Sequence, residues 1–463
     1  MNTAPRIQWL VPTDVGPTRV AAICCVVAVF ALLLVAATWR LWTPQHVYPQ
    51  IPLFALGNDV PEAVGWTALA TALAGLLCVL AAASHAPRLR SCGLLAFAAS
   101  TTLLFVLDQH RLQPWAYQFV VLAILLAALP GRTAVGWARL FTISIYAWSA
   151  LSKFDVTFAD VSGRMFLEQL LSFAGASTES WSLAVRRIAA WVFPCGELAV
   201  AVSLALPRLR GMGVLLAMAM HLTLLVILGP FGLGHQPGVL LWNGFSSFSC
   251  PCCFPTVPVR MAWNGCGNAF VSSLNHRFAP SRPLDAARPN PFVAAIVSIM
   301  IVGVIALPAV ESLGYWDHWL SWGLYANRNE QVQVFVAPGA VAQLPPDLAD
   351  YVVDSGGDWP QLRIDRWSLD SLGVPIYPQG RFQLGVAEAV ATENGLDRQI
   401  RVVYRGIANR QTGQRNVRQL NGRFEIQREA EDHRLNMHPH ISTGPHEGDA
   451  AARSFEKPFA EWR

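Results

Sequence analysis

Long apolar runs constrain this chain more than any other feature. A membrane-spanning helix needs about 20 largely apolar residues, and the chain repeats runs close to that length. They cover about residues 19–39, 64–84, 92–107, 115–129, 133–152, 188–206, 212–228 and 292–310. Hydrophobic residues make up 53% of the chain and charged residues only 14%, whereas soluble domains carry about 25% charged residues. The sequence predicts a polytopic α-helical membrane protein in the lipid bilayer.

One further segment leaves the number of spans open at eight or nine. The stretch GPFGLGHQPGVLLWNGFSSFSC is short and rich in glycine, and it predicts a broken or re-entrant helix over residues 237–248. Non-helical backbone of this kind is tolerated at membrane depth where other parts of the protein bury it. Residues 42–56 and 163–174 are predicted to be interfacial, and residues 251–291 form a loop.

Basic residues predict the orientation. With the N-terminal tail (residues 1–17) in the cytoplasm, the outer loop over residues 41–60 contains no Lys or Arg. The inner loops then hold Arg88, Arg90, Arg132, Arg208 and Arg210, as the positive-inside rule expects, although Arg164, Arg186 and Arg187 fall outside. If residues 237–248 also cross the membrane, the chain is a multi-pass cell-membrane protein with nine spans, and its C-terminal region lies outside. We favour nine.

The C-terminal third has the composition of a soluble domain. An aromatic segment, YWDHWLSWGLY within residues 314–330, predicts a belt at the membrane interface. Residues 331–429 predict a small β-rich extramembrane domain, because five segments alternate apolar and polar residues: QVQVFV, LRIDRW, RFQLGVA, QIRVVYRG and RFEIQRE. The polar residues 430–463 predict a disordered tail.

Lys153 is the most informative single residue. It ends the apolar segment FTISIYAWSALSKFD and is the one lysine among the hydrophobic segments. A lysine at a span end can extend to the interface at little cost, whereas a lysine turned into a helix bundle is costly and usually functional. In the first case Lys153 would pair with Asp155. In the second it would converge with Asp108, His110 and Asp155 at the outer face.

Two other ionisable residues fall inside predicted spans. Glu197 and His221 lie about ten residues into successive antiparallel helices, so they could pair near mid-bilayer, either functionally or as a structural tie. Four of the nine cysteines follow one another closely: Cys250, Cys252, Cys253 and Cys266. Their spacing is irregular for zinc, so we predict no metal site. A net charge of +4 gives no indication of nucleic-acid binding.

Four stretches resemble the horizontally transferred transmembrane (HTTM) family, which is related to vitamin K-dependent γ-carboxylases and to DoxX- and MauE-like membrane proteins. The segment IYAWSALSKFDVTFADV is similar to that family's helix end with a lysine. The segments MHLTLLVILGPFG and GYWDHWLSWGLYANRNEQVQV are similar to its later span and to its aromatic segment. LDQHR is similar to its turn with Asp and His. The likeness covers roughly residues 15–340.

The resemblance implies chemistry on a quinone or quinol, with Lys153 as the base beside Asp108 and His110. Four residues are then candidates to line the cavity of a quinone headgroup, although helix packing is an alternative: Tyr117, Gln118, Tyr146 and Trp148. Two functions follow. One is a quinol-linked membrane enzyme. The other is a non-catalytic DoxX-like scaffold or assembly partner whose residues 331–429 bind a periplasmic protein. A transporter is less well supported, because the chain has no duplicated half.

Overall fold

Six helices are long and apolar enough to cross a membrane. The computed structural model describes residues 16–82, 85–254 and 290–440. Within these ranges, four of the six are single helices: α1 (Pro17–Ala37), α3 (Glu62–Ala82), α4 (Pro87–Leu107) and α11 (Arg210–Leu228). The fifth consists of α9 (Leu183–Ala190) and α10 (Val192–Ala205), and the sixth of α13 (Pro291–Ala306) followed by a 3₁₀ turn (Leu307–Leu313). Each begins and ends within a few residues of its prediction because apolar runs delimit it directly.

Three more helices pack among these six. They are α5 (Pro114–Ala128), α6 (Gly131–Lys153) and α12 (Pro237–Cys253). The predicted re-entrant segment is therefore one continuous helix that extends to Cys253. α12 packs against α1, α6 and α11, and α6 packs against α10. The second half of the bundle thus surrounds one face of α6.

Short helices connect the long ones. The predicted interfacial segment 163–174 is helical as α8 (Ser162–Ser172), which follows α7 (Val156–Asp160). Leu170 in α8 and Phe173 directly after it are exposed apolar residues. α2 (Trp39–Trp42) and a 3₁₀ turn (Ala55–Asp59) lie at the two ends of the other segment predicted to be interfacial, residues 42–56.

Helices α3 and α4 approach closely through two glycines. A Cβ atom at Gly75 would lie 2.6 Å from the carbonyl oxygen of Gly93, and a Cβ at Gly93 would lie 2.6 Å from the carbonyl oxygen of Gly75. Small residues at a membrane helix interface allow such backbone contact. Only four residues of sequence separate Ala82, the end of α3, from Pro87, the start of α4.

The C-terminal domain contains a five-stranded antiparallel sheet in the order β2-β3-β1-β4-β5. The strands are β1 (Gln331–Val336), β2 (Val352–Val353), β3 (Gln361–Leu362), β4 (Ile400–Arg405) and β5 (Val417–Asn421). Strands β1 and β4 pair over six residues, from Gln331 with Arg405 to Val336 with Ile400. Both were predicted, because one face of each is buried and their apolar residues alternate.

Three of the predicted strands are helices, so the domain is mixed rather than β-rich. LRIDRW lies mainly in α15 (Ile364–Leu372), RFQLGVA in α16 (Gly380–Glu393) and RFEIQRE in α17 (Arg423–Glu429); α14 (Pro346–Ala349) precedes them. In α16 every residue from Gly380 to Ala391 is buried. A helix buried on all sides shows no helical periodicity, so a short stretch of it reads like a strand.

The aromatic segment and the start of the tail pack inside the protein. Trp319 and Trp322 are buried, whereas Tyr315 is exposed. Met437 is buried, and Asn436 donates a backbone hydrogen bond to the carbonyl of Leu53. The described part of the predicted disordered tail is therefore ordered.

The C-terminal domain is joined to the helical domain by buried polar contacts. Arg381 forms an ion pair with Asp317 and donates from Nε to Oε1 of Gln109 at 2.7 Å. Tyr377 donates its hydroxyl to the same Asp317 carboxylate. These contacts fix the orientation of α16 relative to the turn after α4.

Candidate functional site

Lys153 is buried and paired with Glu197. The side chain of Lys153 is 4% exposed and that of Glu197 is 13% exposed. The ammonium Nζ donates to the two carboxylate oxygens at 3.0 and 2.9 Å, and also to Oγ of Ser149 at 2.6 Å. Helix α6 supplies the lysine and Ser149 one turn apart, and α10 supplies the acid.

The interfacial alternative for Lys153 is wrong. Asp155, its expected partner in that case, instead begins α7: its Oδ1 accepts hydrogen bonds from the backbone N–H of Phe158 at 2.7 Å and from the hydroxyl of Thr157 at 2.5 Å. An aspartate in this N-cap position stabilises the first turn of a helix. The carboxylate that pairs with Lys153 is therefore that of Glu197 on α10.

Tyr146 and His221 form a second polar pair, two helical turns from Lys153 on α6. The hydroxyl of Tyr146 lies 2.8 Å from Nε2 of His221, and Nδ1 of His221 lies 2.9 Å from Oδ1 of Asn243. Asn243 donates its own amide to the carbonyl of Val239, so Oδ1 is the atom that faces the imidazole. Consequently Nδ1 carries the proton, and Nε2 accepts the hydroxyl of Tyr146.

The predicted direct pairing of Glu197 with His221 is not formed. Glu197 binds Lys153, and His221 binds Tyr146 and Asn243. The reason is that side chains of α6 bind both residues: Lys153 pairs with Glu197 on α10, and Tyr146 pairs with His221 on α11. The two ionisable residues consequently belong to adjacent polar pairs rather than to one.

Asp108 and His110 belong to a separate cluster between the two domains. Oδ1 of Asp108 accepts from the backbone N–H of His110 at 3.0 Å, and His110 Nε2 lies 3.1 Å from the carbonyl of Pro375. Within the described ranges, none of their hydrogen-bond partners is shared with Lys153. The expected convergence with Lys153 is thus not observed; Arg111 and α15 surround this pair instead.

Burial shifts both titrating groups of this cluster toward their neutral forms. Burial raises the pKa of Asp108 to about 6, although Arg111 opposes the shift. Burial lowers the pKa of His110 to about 4, although its hydrogen bond to the Pro375 carbonyl opposes the shift. Because His110 Nδ1 has no partner among the described residues, protonation would bury an unpaired N–H. His110 is therefore neutral at physiological pH.

The other headgroup candidates have mixed roles. Trp148 donates to the carbonyl of Ile305 at 2.8 Å, and Gln118 accepts from the indole of Trp242 at 2.8 Å, so both tie helices together. The hydroxyl of Tyr117 and the indole N–H of Trp322 are buried without a partner among the described residues, and their rings lie 5.6 Å apart. Each of these two groups can donate one hydrogen bond to an acceptor.

The cysteines lie against the Tyr146 pair. Cys250 Sγ lies 3.7 Å from the Tyr146 hydroxyl, and Cys252 and Cys253 are also buried. Cys266 and most of the loop 251–291 lie outside the described residues. Within the described ranges, no group of three or more metal-ligating residues occurs.

Two hollows occur elsewhere. An apolar one of about 10 Å³ lies between α1, α3, α4 and α5 near Trp42 and Phe97, and is too small for a headgroup. A groove of about 400 Å³ on the C-terminal domain is lined by amide and charged side chains that include Gln331, Gln333, Gln361, Arg363 and Asp365. Neither is lined by Lys153.

Three residues of the site were missed from the sequence. Ser149 precedes Lys153 by four residues, which places both on one face of α6 and could have been recognised. Asn243 lies in the glycine-rich segment whose helix was in doubt. Trp322 has φ +62°, a backbone conformation that no local sequence pattern predicts.

No family model, curated protein or solved structure matches the chain.

Proposed function

We propose that this chain is a membrane enzyme of the HTTM-like superfamily that acts on a lipid-soluble quinol with Lys153 as its base. The observation that carries the proposal is the buried pair of Lys153 with Glu197, at 2.9 Å. A charged residue within a membrane bundle is costly and marks a functional site by default. The pair lies at the end of α6 that the positive-inside rule assigns to the outer face.

The pair can generate a neutral amine without releasing a proton to solvent. Transfer of one proton from Lys153 to Glu197 within the hydrogen-bonded pair leaves an amine and a carboxylic acid. The amine can then accept a proton from a hydroxyl positioned beside it. Ser149, which accepts from Nζ at 2.6 Å, holds the amine in place.

Tyr117, Trp322 and the Tyr146–His221 pair are the residues that would hold a quinone ring. The unpaired donors of Tyr117 and Trp322 suit its oxygens, and buried donors without partners are otherwise costly. A bound quinol would supply two electrons and two protons, and dissolved dioxygen would accept both and be reduced to hydrogen peroxide. Tyr146 and His221 provide a second place, besides Lys153, to which a proton can pass.

The nine-span arrangement completes this proposal. It adds α5, α6 and α12 to the six long apolar helices and keeps the N-terminus cytoplasmic. The C-terminal domain then lies outside, and its contacts through Arg381 with Gln109 are made at the outer face.

Quinol consumption by the purified full-length protein tests this function. Lys153→Met and Glu197→Gln are expected to lower the rate of quinol oxidation by roughly 100-fold or more, because a positioned base contributes about that much. Arg164→Met is the matched control, since Arg164 is an exposed cation in an interfacial helix. Size-exclusion profiles and quinone content of each preparation are recorded in parallel. Wild-type turnover in a folded Lys153→Met protein would refute the proposal.

The groove on the C-terminal domain favours a second candidate, a membrane scaffold that binds a periplasmic protein. Its volume of about 400 Å³ and its side-chain amides suit a polar chain segment. Cross-linking in cells to a partner that is lost in Gln333→Arg, while quinol oxidation stays absent from every preparation, would favour the scaffold.

A further inference from the structure

One loop of the C-terminal domain contacts the end of the helix that carries Lys153. This loop, residues 406–416, joins β4 to β5. Nη1 of Arg410 in the loop donates to the carbonyl of Leu151 at 2.8 Å, and the backbone N–H of Val156 donates to the carbonyl of Arg410 at 3.0 Å. A single loop residue therefore binds the chain on both sides of Lys153.

The bonded turn is the last one of α6, where a helix is least constrained. The last four carbonyls of an α-helix have no intrahelical partner, and helix ends open at a small cost in free energy. Lys153 is the final residue of α6, and the carbonyl of Leu151 is among those four. Arg410 gives this carbonyl a cationic donor, which is a favourable partner at a helix C-terminus. The contact thus stabilises the turn from which Nζ of Lys153 reaches Glu197.

The loop fixes Arg410 through its own hydrogen bonds. Oδ1 of Asn409 accepts from the backbone N–H groups of residues 411–412 at 2.9 and 3.1 Å, which forms an Asx turn around Arg410. Nη1 of Arg415 donates to the carbonyl of Asn329 at 2.6 Å and so ties the loop to the segment before β1. Arg410 is therefore presented from a turn with a defined backbone conformation.

The charge of Arg410 contributes as well as its hydrogen bond. Asp155, which lies two residues after Lys153, is buried, and its Oδ2 has no hydrogen-bond partner among the described residues. The positive charges of Arg410 and Arg415 act on this carboxylate from the loop. A buried carboxylate without a compensating charge is costly. A neutral side chain at position 410 would therefore also weaken the junction of α6 and α7.

We propose that Arg410 is a positioning residue for Lys153, because its side chain and its carbonyl hold the end of α6 so that Nζ stays on Glu197. The catalytic consequence rests on the proposed function, in which Lys153 is the base. Such a group must be held within about 0.5 Å of its productive position, and a misplacement of about 1 Å costs roughly 100-fold in rate. The C-terminal domain is thus part of the Lys153 site, although the described hydrogen bonds of Nζ lie within the helical domain.

Acetylation of Lys153 tests the positioning without a turnover assay. The chain contains two lysines, Lys153 and Lys457, so peptide mass spectrometry reads each of them separately. The purified full-length protein is treated with sulfosuccinimidyl acetate, and the rate of acetylation at Lys153 is measured. Arg410→Met is expected to raise this rate by roughly tenfold or more, because loss of a charge-assisted hydrogen bond favours opening of the turn by about that factor.

Val156→Pro breaks the other contact and leaves Arg410 in place. Val156 is the first residue of α7, a position at which proline is tolerated. The proline ring, however, replaces the N–H that reaches the Arg410 carbonyl. The same rise in acetylation of Lys153 is expected. A wild-type rate in both Arg410→Met and Val156→Pro would overturn the proposal.

Two control variants separate local opening from a general loss of stability. Arg398→Met replaces an exposed arginine of the same domain, and Gly75→Ala disturbs the contact of α3 with α4. Neither should change the rate of acetylation at Lys153. An equal rise in Gly75→Ala and Arg410→Met would also overturn the proposal, because global unfolding would then account for both.

Steady-state kinetics of quinol oxidation provide the functional measurement. In Arg410→Met, kcat is expected to fall by roughly tenfold or more with KM unchanged, because the base is displaced in the transition state while substrate binding is kept. Arg410→Lys keeps a cationic donor and should restore most of kcat.

The two measurements distinguish this proposal from the proposed function. Acetylation that responds to Arg410→Met, together with undiminished quinol oxidation in Lys153→Met, would refute only the role of Lys153 as base. Quinol oxidation that requires Lys153, together with unchanged acetylation and unchanged kcat in Arg410→Met, would refute only the positioning role.

Discussion

The Nζ atom of Lys153 lies 2.9 Å from a carboxylate oxygen of Glu197, inside the helix bundle and away from solvent. The lysine ends α6 and the acid lies near the middle of α10, so the ion pair joins two helices that also pack together. A buried ion pair is weak evidence for stability, because desolvation of both charges offsets their attraction. The pair is the observation on which the proposed acid–base role of Lys153 rests.

Removal of one charge of this pair should destabilise the protein more than removal of both. Lys153→Met leaves the Glu197 carboxylate buried and unpaired, so the free energy of unfolding should fall by roughly 3–5 kcal/mol. Lys153→Met with Glu197→Leu should recover most of that loss. Unfolding in mixed micelles, followed by circular dichroism, measures both. Arg164→Met breaks the exposed pair with Glu168 and should lower the free energy of unfolding by less than about 1 kcal/mol. A similar decrease in Lys153→Met, in the double variant and in Arg164→Met would contradict the expectation.

The cluster of Asp108 and His110 should give opposite pH dependences when either is removed. The pKa of His110 falls from 6.5 to about 4 on folding, so its contribution to stability is present above pH 6.5 and is lost as pH falls through about 4. The pKa of Asp108 rises from 3.8 to about 6, so its contribution is present below pH 3.8 and is lost as pH rises through about 6.

The two contributions nearly cancel in the wild type between pH 4 and 6. Asp108→Asn, which keeps an oxygen acceptor, should make the melting temperature rise with pH across this range. His110→Gln, which keeps a donor for the Pro375 carbonyl, should make it fall. Thermal scans of the purified protein in buffers across this range, at constant ionic strength, measure the slopes. Equal slopes in both variants would disprove the assignment.

Alanine at either glycine of the α3–α4 contact should separate these helices. In Gly75→Ala the new methyl group meets the Gly93 carbonyl oxygen at 2.6 Å, and backbone cannot yield as a side chain can. Overpacking of this kind costs roughly 1–3 kcal/mol. Gly303→Ala on α13 is the control, because nothing lies within 4 Å of its Cβ position. The melting temperatures of the two variants should therefore differ, with only Gly75→Ala below the wild type.

Gly323 should tolerate no side chain, for a different reason. A Cβ atom there would lie 2.5 Å from the ring of His318, and that ring is held between Oε1 of Glu311 at 3.0 Å and the carbonyl of Ala326 at 2.9 Å. Gly323→Ala must break one of these bonds, at a cost of roughly 1–3 kcal/mol. Gly339→Ala has open space around it and should be neutral. Limited proteolysis of residues 314–330 would reveal the loosened turn; unchanged protection would count against this reading.

The sequence by itself determined the long helices, because each contains an apolar run whose length and ends are visible in the local sequence. It also determined β1 and β4, whose apolar residues alternate along a half-buried sheet. It predicted a strand where α16 lies, because a helix that is buried on every side has no polar face to show a helical period. Only the tertiary structure decided which ionisable groups meet. Lys153 reaches Glu197 rather than Asp155, and Asp108 and His110 lie under the C-terminal domain, because partners across helices depend on how whole elements pack, which no local spacing encodes.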